Sequence, residues 1–178
     1  MSNKLVLVLF LLMLTIPIVC SGTLATIGAP FILSVADKPA QIGSETENYI
    51  PEVPFHYQIN EFYCGPAALE MVFDFYGEDI PQTEIADVAR TLPSPFGTAT
   101  SDLRRAAHFS NVSTSLGWTL GNITGYSNRK YGYIAFEKYN MTLNELKNLV
   151  DGGYPIIVLT KHHFRVVIGY NNTHIIVH

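Results

Sequence analysis

Chemistry in this chain starts from Cys64, which is followed by Gly65, Pro66, Ala67 and Ala68 and then by an apolar run to Tyr76. A cysteine at the start of a helix, with proline tolerated in the first turn, lies where backbone N–H groups and the helix dipole favour a thiolate, and a thiolate is a nucleophile. Gln58 precedes it on an extended approach. Its amide N–H₂ can turn toward the same point and join the Cys64 backbone N–H in an oxyanion hole, the arrangement acyl transfer requires. The plainer alternative is that free cysteine is among the most buried residue types and can be a small apolar filler. A nucleophilic cysteine also needs a base, and the chain offers His56, His108, His162, His163, His174 and His178. His163 opens the run HFRVVIGY. On a strand, positions 163, 165 and 167 share one face and 164, 166 and 168 the other, so one face can meet a cleft. From there an imidazole takes the thiol proton and later protonates a leaving amine. His162 faces the opposite way and is the second choice, while His56 and His108 have no comparable context.

Several elements must position these groups. Ala67, Ala68, Leu69, Met71, Val72, Phe73, Phe75 and Tyr76 cover most of a helical surface, which predicts a buried helix from Cys64 to Tyr76 closed by Gly77. A second helix is predicted from Pro81 to about Arg90. A third, capped by Ser101 or Asp102, runs to about Phe109. Residues 110–140, rich in Gly, Asn, Ser and Tyr, read as irregular or short strands. Thr142-Leu143-Asn144-Glu145 is a capping box that opens a fourth, amphipathic helix ended by Gly152-Gly153. Three strand-like runs follow at 155–160, 163–170 and 174–178, the last two joined by a turn at Asn171-Asn172. Helices early and strands late predict an α+β domain: a helical N-terminal half holding the buried nucleophile helix, and a C-terminal antiparallel sheet. Arg104, Arg105 and the lone Trp118 read as a solvated helix face and a packed aromatic.

The chain has 178 residues and a mass of 19.8 kDa, one domain's worth. It is 48% hydrophobic and 15% charged, which suits a packed core and excludes a disordered segment. A net charge of −4 without any Lys/Arg run argues against nucleic acid as a partner. Two cysteines, with no CxxC and no Cys/His cluster, exclude a zinc finger or a disulfide scaffold. Lys4 precedes an uncharged run from Leu5 to Val19 and then Ser21, Gly22, Thr23 and Ala25, so residues 1–22 read as a secretion signal. An N-terminal membrane anchor is the runner-up, and lipid attachment at Cys20 is a weaker alternative because Ile18 and Val19 are not small. The expected location is therefore secreted or cell surface, with membrane association possible through that segment. Removal of residues 1–22 leaves Cys64 as a single thiol, which must be buried and inert, paired with another molecule, or reactive. Residues 23–52, with Gly28, Pro30, Pro39, Gly43 and Pro51, read as a linker or pro-like segment before a domain at 53–178. N-x-[S/T] occurs at Asn111, Asn122, Asn140 and Asn171, candidate glycosylation acceptors that imply exposed loops.

The elements VPFHYQ, YCGPAALEMVFDFYG, TLNELKNLVDGGYPIIVLT and HFRVVIGY, in this order, resemble the bacteriocin-processing, double-glycine-leader cysteine peptidases of the papain-like clan. The resemblance spans Val53 to His178, most specifically at Gln58 with Cys64-Gly65-Pro66 and at the HFRVVIGY strand. It implies a papain-like fold, Cys64 as nucleophile, Gln58 in the oxyanion hole, His163 as base, a peptide or protein substrate and no cofactor or metal. In the family an Asp after the next strand, usually followed by Pro, orients the imidazole. Here the sequence ends at His178, where that Asp is expected next, so the fold is expected to be cut short. Asn171, Asn172 and Asp151 are substitutes that nothing places near His163. The resulting expectation is an exported cysteine peptidase acting through a Cys64 thioester. The alternative is a catalytically weak or inactive surface domain of the same fold that binds peptides or cell-envelope components. A third, weaker reading is amide hydrolysis or transfer on cell-wall peptides or isopeptide bonds.

Overall fold

The computed structural model describes residues 5–10, 47–114 and 123–178. Cys20, Trp118, Asn122 and most of the stretch read as a linker lie outside the described residues. The elements in chain order are β1 (Leu5–Phe10), β2 (Asn48–Tyr49), α1 (Cys64–Phe75), α2 (Gln82–Val88), α3 (Thr100–His108), α4 (Asn111–Thr114), α5 (Thr124–Asn128), β3 (Ile134–Tyr139), α6 (Leu143–Asp151), β4 (Ile156–Thr160), β5 (His163–Tyr170) and β6 (Ile175–Val177). This is the α+β arrangement the pattern predicts.

Helix α1 is apolar nearly all round, and Gly65 to Leu69 and Met71 to Phe73 are buried. Burying a Leu, Val or Phe contributes about 1.5–3 kcal/mol each, so this helix anchors the core. It stops where Gly77 adopts φ +79, a left-handed conformation that glycine enters without penalty. Its two carboxylates, Glu70 and Asp74, lie on the remaining face. At α6 the capping box forms as read: the Thr142 hydroxyl accepts from the Glu145 N–H at 3.3 Å, and the Glu145 carboxylate accepts from the Thr142 N–H at 2.9 Å. Helix α3 begins two to three residues earlier than expected, after Ala99 in place of Ser101 or Asp102, and Asp102 instead pairs with Arg105.

Within the sheet, β4 and β5 form an antiparallel hairpin that pairs Thr160 with His163 and Ile156 with Val167. The connecting residues Lys161 and His162 both have positive φ, 47° and 65°, which is how a two-residue hairpin turn matches the twist of its strands. β6 and β2 also pair antiparallel to β5. Ile50, just after β2, donates its N–H to the Ile168 carbonyl at 2.7 Å and is buried. The apolar N-terminal run supplies β1, which lies parallel between β4 and β3. Its unbroken Leu/Val composition suits a strand flanked on both sides. No helix among the described residues is long and apolar enough to cross a membrane.

The region 110–140 departs most from its sequence pattern. Besides β3 it holds the short helices α4 and α5, and α5 owes its start to a distant residue. The Glu84 carboxylate, on α2, accepts from the N–H of Gly125 at 2.9 Å and of Tyr126 at 3.3 Å. A carboxylate at a helix start satisfies donors that the helix itself leaves open. Just beyond, Arg129 is buried with its guanidinium over the rings of Phe73 and Tyr133, 4.6 and 4.1 Å from the centroids. It pairs with Glu78 at 2.6 Å and donates to the carbonyls of Ala107 and Phe109. That cluster ties α1, α3 and the 123–133 segment together.

Candidate active site

One cleft of about 150 Å³ is lined by Phe55, His56, Tyr57, Gln58, Cys64, Ala67, Ala68 and Met71 from one side, and by His163, Phe164, Arg165 and His178 from the other. The three residues singled out from the sequence, Cys64, Gln58 and His163, are therefore brought together. Cys64 is the first residue of α1 and is partly exposed, accessible to a substrate while its helix stays buried. Helix α1 packs directly on β5. The contact is close at Gly65, where a Cβ would lie 3.0 Å from the Thr98 Cβ, 3.1 Å from its hydroxyl and 3.3 Å from the Phe164 ring. Only glycine lets the helix that begins with Cys64 approach the strand that begins with His163 so closely.

His163 opens β5 and is half-buried. Burial, and secondarily the charge of Arg165 two residues along, hold its pKa below the usual histidine value. Both effects disfavour the imidazolium, so the resting ring is neutral and free to accept a proton. Arg165 is itself held by a hydrogen bond to the Thr160 hydroxyl across the hairpin. His162 is exposed in the turn, outside the cleft lining.

Gln58 sits on the extended segment before α1, where Phe55, Tyr57 and Ile59 are exposed and His56 and Gln58 turn inward. Its amide Nε2 donates to the Asn60 carbonyl at 2.6 Å, and the Asn60 side chain in turn accepts from the Phe62 N–H. One of the two amide protons of Gln58 is thereby committed locally, which fixes which end of the amide is the nitrogen and leaves the second proton for the cleft.

Two further histidines, His56 and His178, line this cleft without any local signal in the sequence. His56 Nε2 lies 2.7 Å from the Asp74 carboxylate, and its Nδ1 lies 4.0 Å from Glu70. The signal was present as Glu70 and Asp74 one turn apart on α1, but the partner approaches from another element. His178 follows β6, pairs with Val166 through both main-chain groups and places Nε2 3.1 Å from the Val53 carbonyl. Among the described residues the cleft lining contains no Asp or Glu, so its ionisable nitrogen groups outnumber its anions. Nor does any group of three His, Cys, Asp or Glu side chains among the described residues suit a metal ion.

The three candidate glycosylation acceptors among the described residues, Asn111, Asn140 and Asn171, are not part of the cleft lining. Asn111 and Asn140 are exposed, while Asn171 is half-buried with its side-chain oxygen accepting from the N–H groups of Thr173 and His174.

A family model described as the Peptidase_C39 like family matches residues 50–178. Curated proteins and solved structures gave no match.

Proposed function

The chain belongs to the Peptidase_C39 like family, which gives it a cysteine-peptidase type of fold, and from that premise we propose that it is an exported cysteine peptidase using Cys64, His163 and Gln58. The observation that carries this reading is the convergence of those three side chains on one cleft. His163, neutral at rest, takes the proton from the Cys64 Sγ as sulfur attacks the scissile carbonyl carbon. The oxygen then gathers negative charge, and the Cys64 backbone N–H and the uncommitted amide proton of Gln58 are the donors that stabilise it. His163 returns its proton to the leaving amine as the C–N bond breaks, leaving a thioester on Cys64. Water, deprotonated by the same ring, hydrolyses that thioester and restores the thiol.

The reading of residues 1–22 as a secretion signal supports export, with an anchored form as the alternative. A second reading has one observation in its favour: no carboxylate lines the cleft among the described residues to orient the His163 ring. On that reading the domain binds peptides or cell-envelope components without turning them over.

Iodoacetamide labelling of Cys64 in the folded chain across pH 4–9, with and without His163→Ala, separates the two. The peptidase reading expects fast labelling that persists well into acid and collapses in the variant. Slow labelling that follows an ordinary thiol titration near about 8.5 and ignores His163 would leave the binding reading in its place.

A further inference from the structure

Among the described residues the segment that carries Gln58 has no sheet partner, yet an oxyanion donor must be held to within a fraction of an ångström. The structure fixes it through a side chain. Gln82, the first residue of α2, is buried, and its amide bonds the main chain on both sides of residue 58: Nε2 donates to the Tyr57 carbonyl at 2.9 Å, and Oε1 accepts from the Ile59 N–H at 3.1 Å. One primary amide thereby replaces the pair of hydrogen bonds that a neighbouring strand would make. The second amide proton of Gln82 goes to the Glu70 carboxylate at 2.7 Å. Glu70 is on α1, the helix that begins with Cys64.

We propose that Gln82, anchored by Glu70, is a positioning residue that sets the Gln58 amide against the Cys64 thiol. This inference rests on the peptidase reading above. The two peptide units flanking Gln58 are those whose rotation would swing its Cα–Cβ bond, and both are engaged by Gln82. The side chain beyond is fixed by Asn60. Backbone direction and amide orientation are thus determined separately, the first through Gln82 and α1, the second locally. Without the clamp, the Tyr57 carbonyl and the Ile59 N–H have to find water, and the segment gains freedom at the atom where the oxyanion forms.

The test is a double-mutant cycle on the full chain with Gln58→Ala, Gln82→Met and both together. Gln82→Met keeps the side-chain length and removes every hydrogen bond. Three quantities are read: turnover of an internally quenched peptide mixture, affinity for a short N-acetylated peptide aldehyde, and the rate of iodoacetamide labelling at Cys64, separated from Cys20 by peptide mapping. The aldehyde adds the Cys64 sulfur to its carbonyl and needs the oxyanion donors, whereas alkylation displaces iodide and does not. Loss of one oxyanion donor costs about 10²–10³-fold in kcat, so Gln58→Ala is expected there. Gln82→Met is expected to lose about 10–100-fold in kcat and in aldehyde affinity, with KM and labelling within about threefold of wild type. The double variant is expected to be no worse than Gln58→Ala alone. Multiplying losses, or labelling that falls together with turnover, would overturn the proposal. If Gln82→Met does not fold, Glu70→Ala takes its place: a few-fold loss that vanishes in the Gln58→Ala background supports the clamp, and an undiminished loss overturns it. A wild-type chain that neither labels rapidly nor takes up the aldehyde overturns the peptidase reading and this inference with it. A competent wild type with independent Gln58 and Gln82 effects overturns the inference alone.

Discussion

Substituting Gly65→Ala tests whether the close seating of α1 on β5 serves chemistry more than stability. The added methyl would meet the Thr98 Cβ at 3.0 Å and hydroxyl at 3.1 Å, and the Phe164 ring at 3.3 Å. Carbon atoms in contact prefer about 3.5–4.0 Å, so several tenths of an ångström must be found. Thr98 and Phe164 are both buried, and the Thr98 hydroxyl is bonded to that of Thr91 at 2.8 Å, so neither gives freely. Overpacking of this kind costs about 1–3 kcal/mol. Replacing a helical glycine by alanine returns about 0.5–1 kcal/mol. The net destabilisation is therefore about 0–2.5 kcal/mol, at most roughly 10 °C in Tm for a domain of this size. The displacement falls between Cys64 and His163, each adjacent to a clashing residue. A misplacement approaching 1 Å costs about 10²-fold in rate, so turnover and labelling are expected to fall about tenfold or more. Calorimetry gives the Tm, and iodoacetamide labelling at pH 6–7 gives the reactivity, on the same preparation. Unchanged labelling alongside a Tm drop of more than about 10 °C would refute the argument, because the contact would then be a packing feature only.

Arg129→Ala leaves the Glu78 carboxylate partly buried without its cation and is expected to destabilise by about 3–5 kcal/mol, read as a lower urea midpoint. Arg129→Met combined with Glu78→Gln should cost less than that single change, and equal losses would show that charge pairing is not the cause. The His163 ring, followed by NMR, is expected to titrate below the ordinary histidine value of about 6.5 and to rise part of the way back in Arg165→Gln, burial being the larger cause. A depressed folded-state pKa means that its contribution to stability is present above about 6.5 and is lost as pH falls through the folded value, so a midpoint at or above 6.5 would contradict it. Deleting residues 1–22, as cleavage of the proposed signal would, removes the strand between β3 and β4 and is expected to lower Tm by more than about 5 °C, so an anchored form keeps β1 and a cleaved form does without it. An unchanged Tm would show that the sheet does not depend on β1.

What the sequence discloses and what it hides divide by the range of the interactions. The buried helix at Cys64, the Thr142–Glu145 capping box and the β4–β5 hairpin are written in neighbouring residues, through periodicity, a three-residue spacing and turn chemistry. Cys64, Gln58 and His163 stand out as candidates because each carries its context locally: a helix start, an extended approach, a strand start. Gln82 reads as an ordinary polar residue at the start of a helix, and only the fold shows that its amide reaches back to residues 57 and 59. His56 likewise has no local context, since its carboxylate partner arrives on α1. α5 was missed because its first N–H groups are satisfied by Glu84 from α2, and Arg129 because its burial depends on Phe73, Tyr133 and Glu78. The parallel seating of β1 has the same character, since nothing within an apolar run says which strands it will join.

The cleft is shared between two bodies of unequal attachment. Sulfur and its amide donor belong to one body, joined through Glu70 and Gln82, while the imidazole belongs to the hairpin of the sheet. The two meet at Gly65 and Phe164. On the peptidase reading, a small separation along that seam would part the His163 imidazole from the Cys64 thiol while keeping the thiol beside the Gln58 amide. The thiol would then be quiet but undamaged, and reclosure would restore the site without rebuilding it. On the peptidase reading, a site divided in this way has its off position built into the seam between α1 and β5.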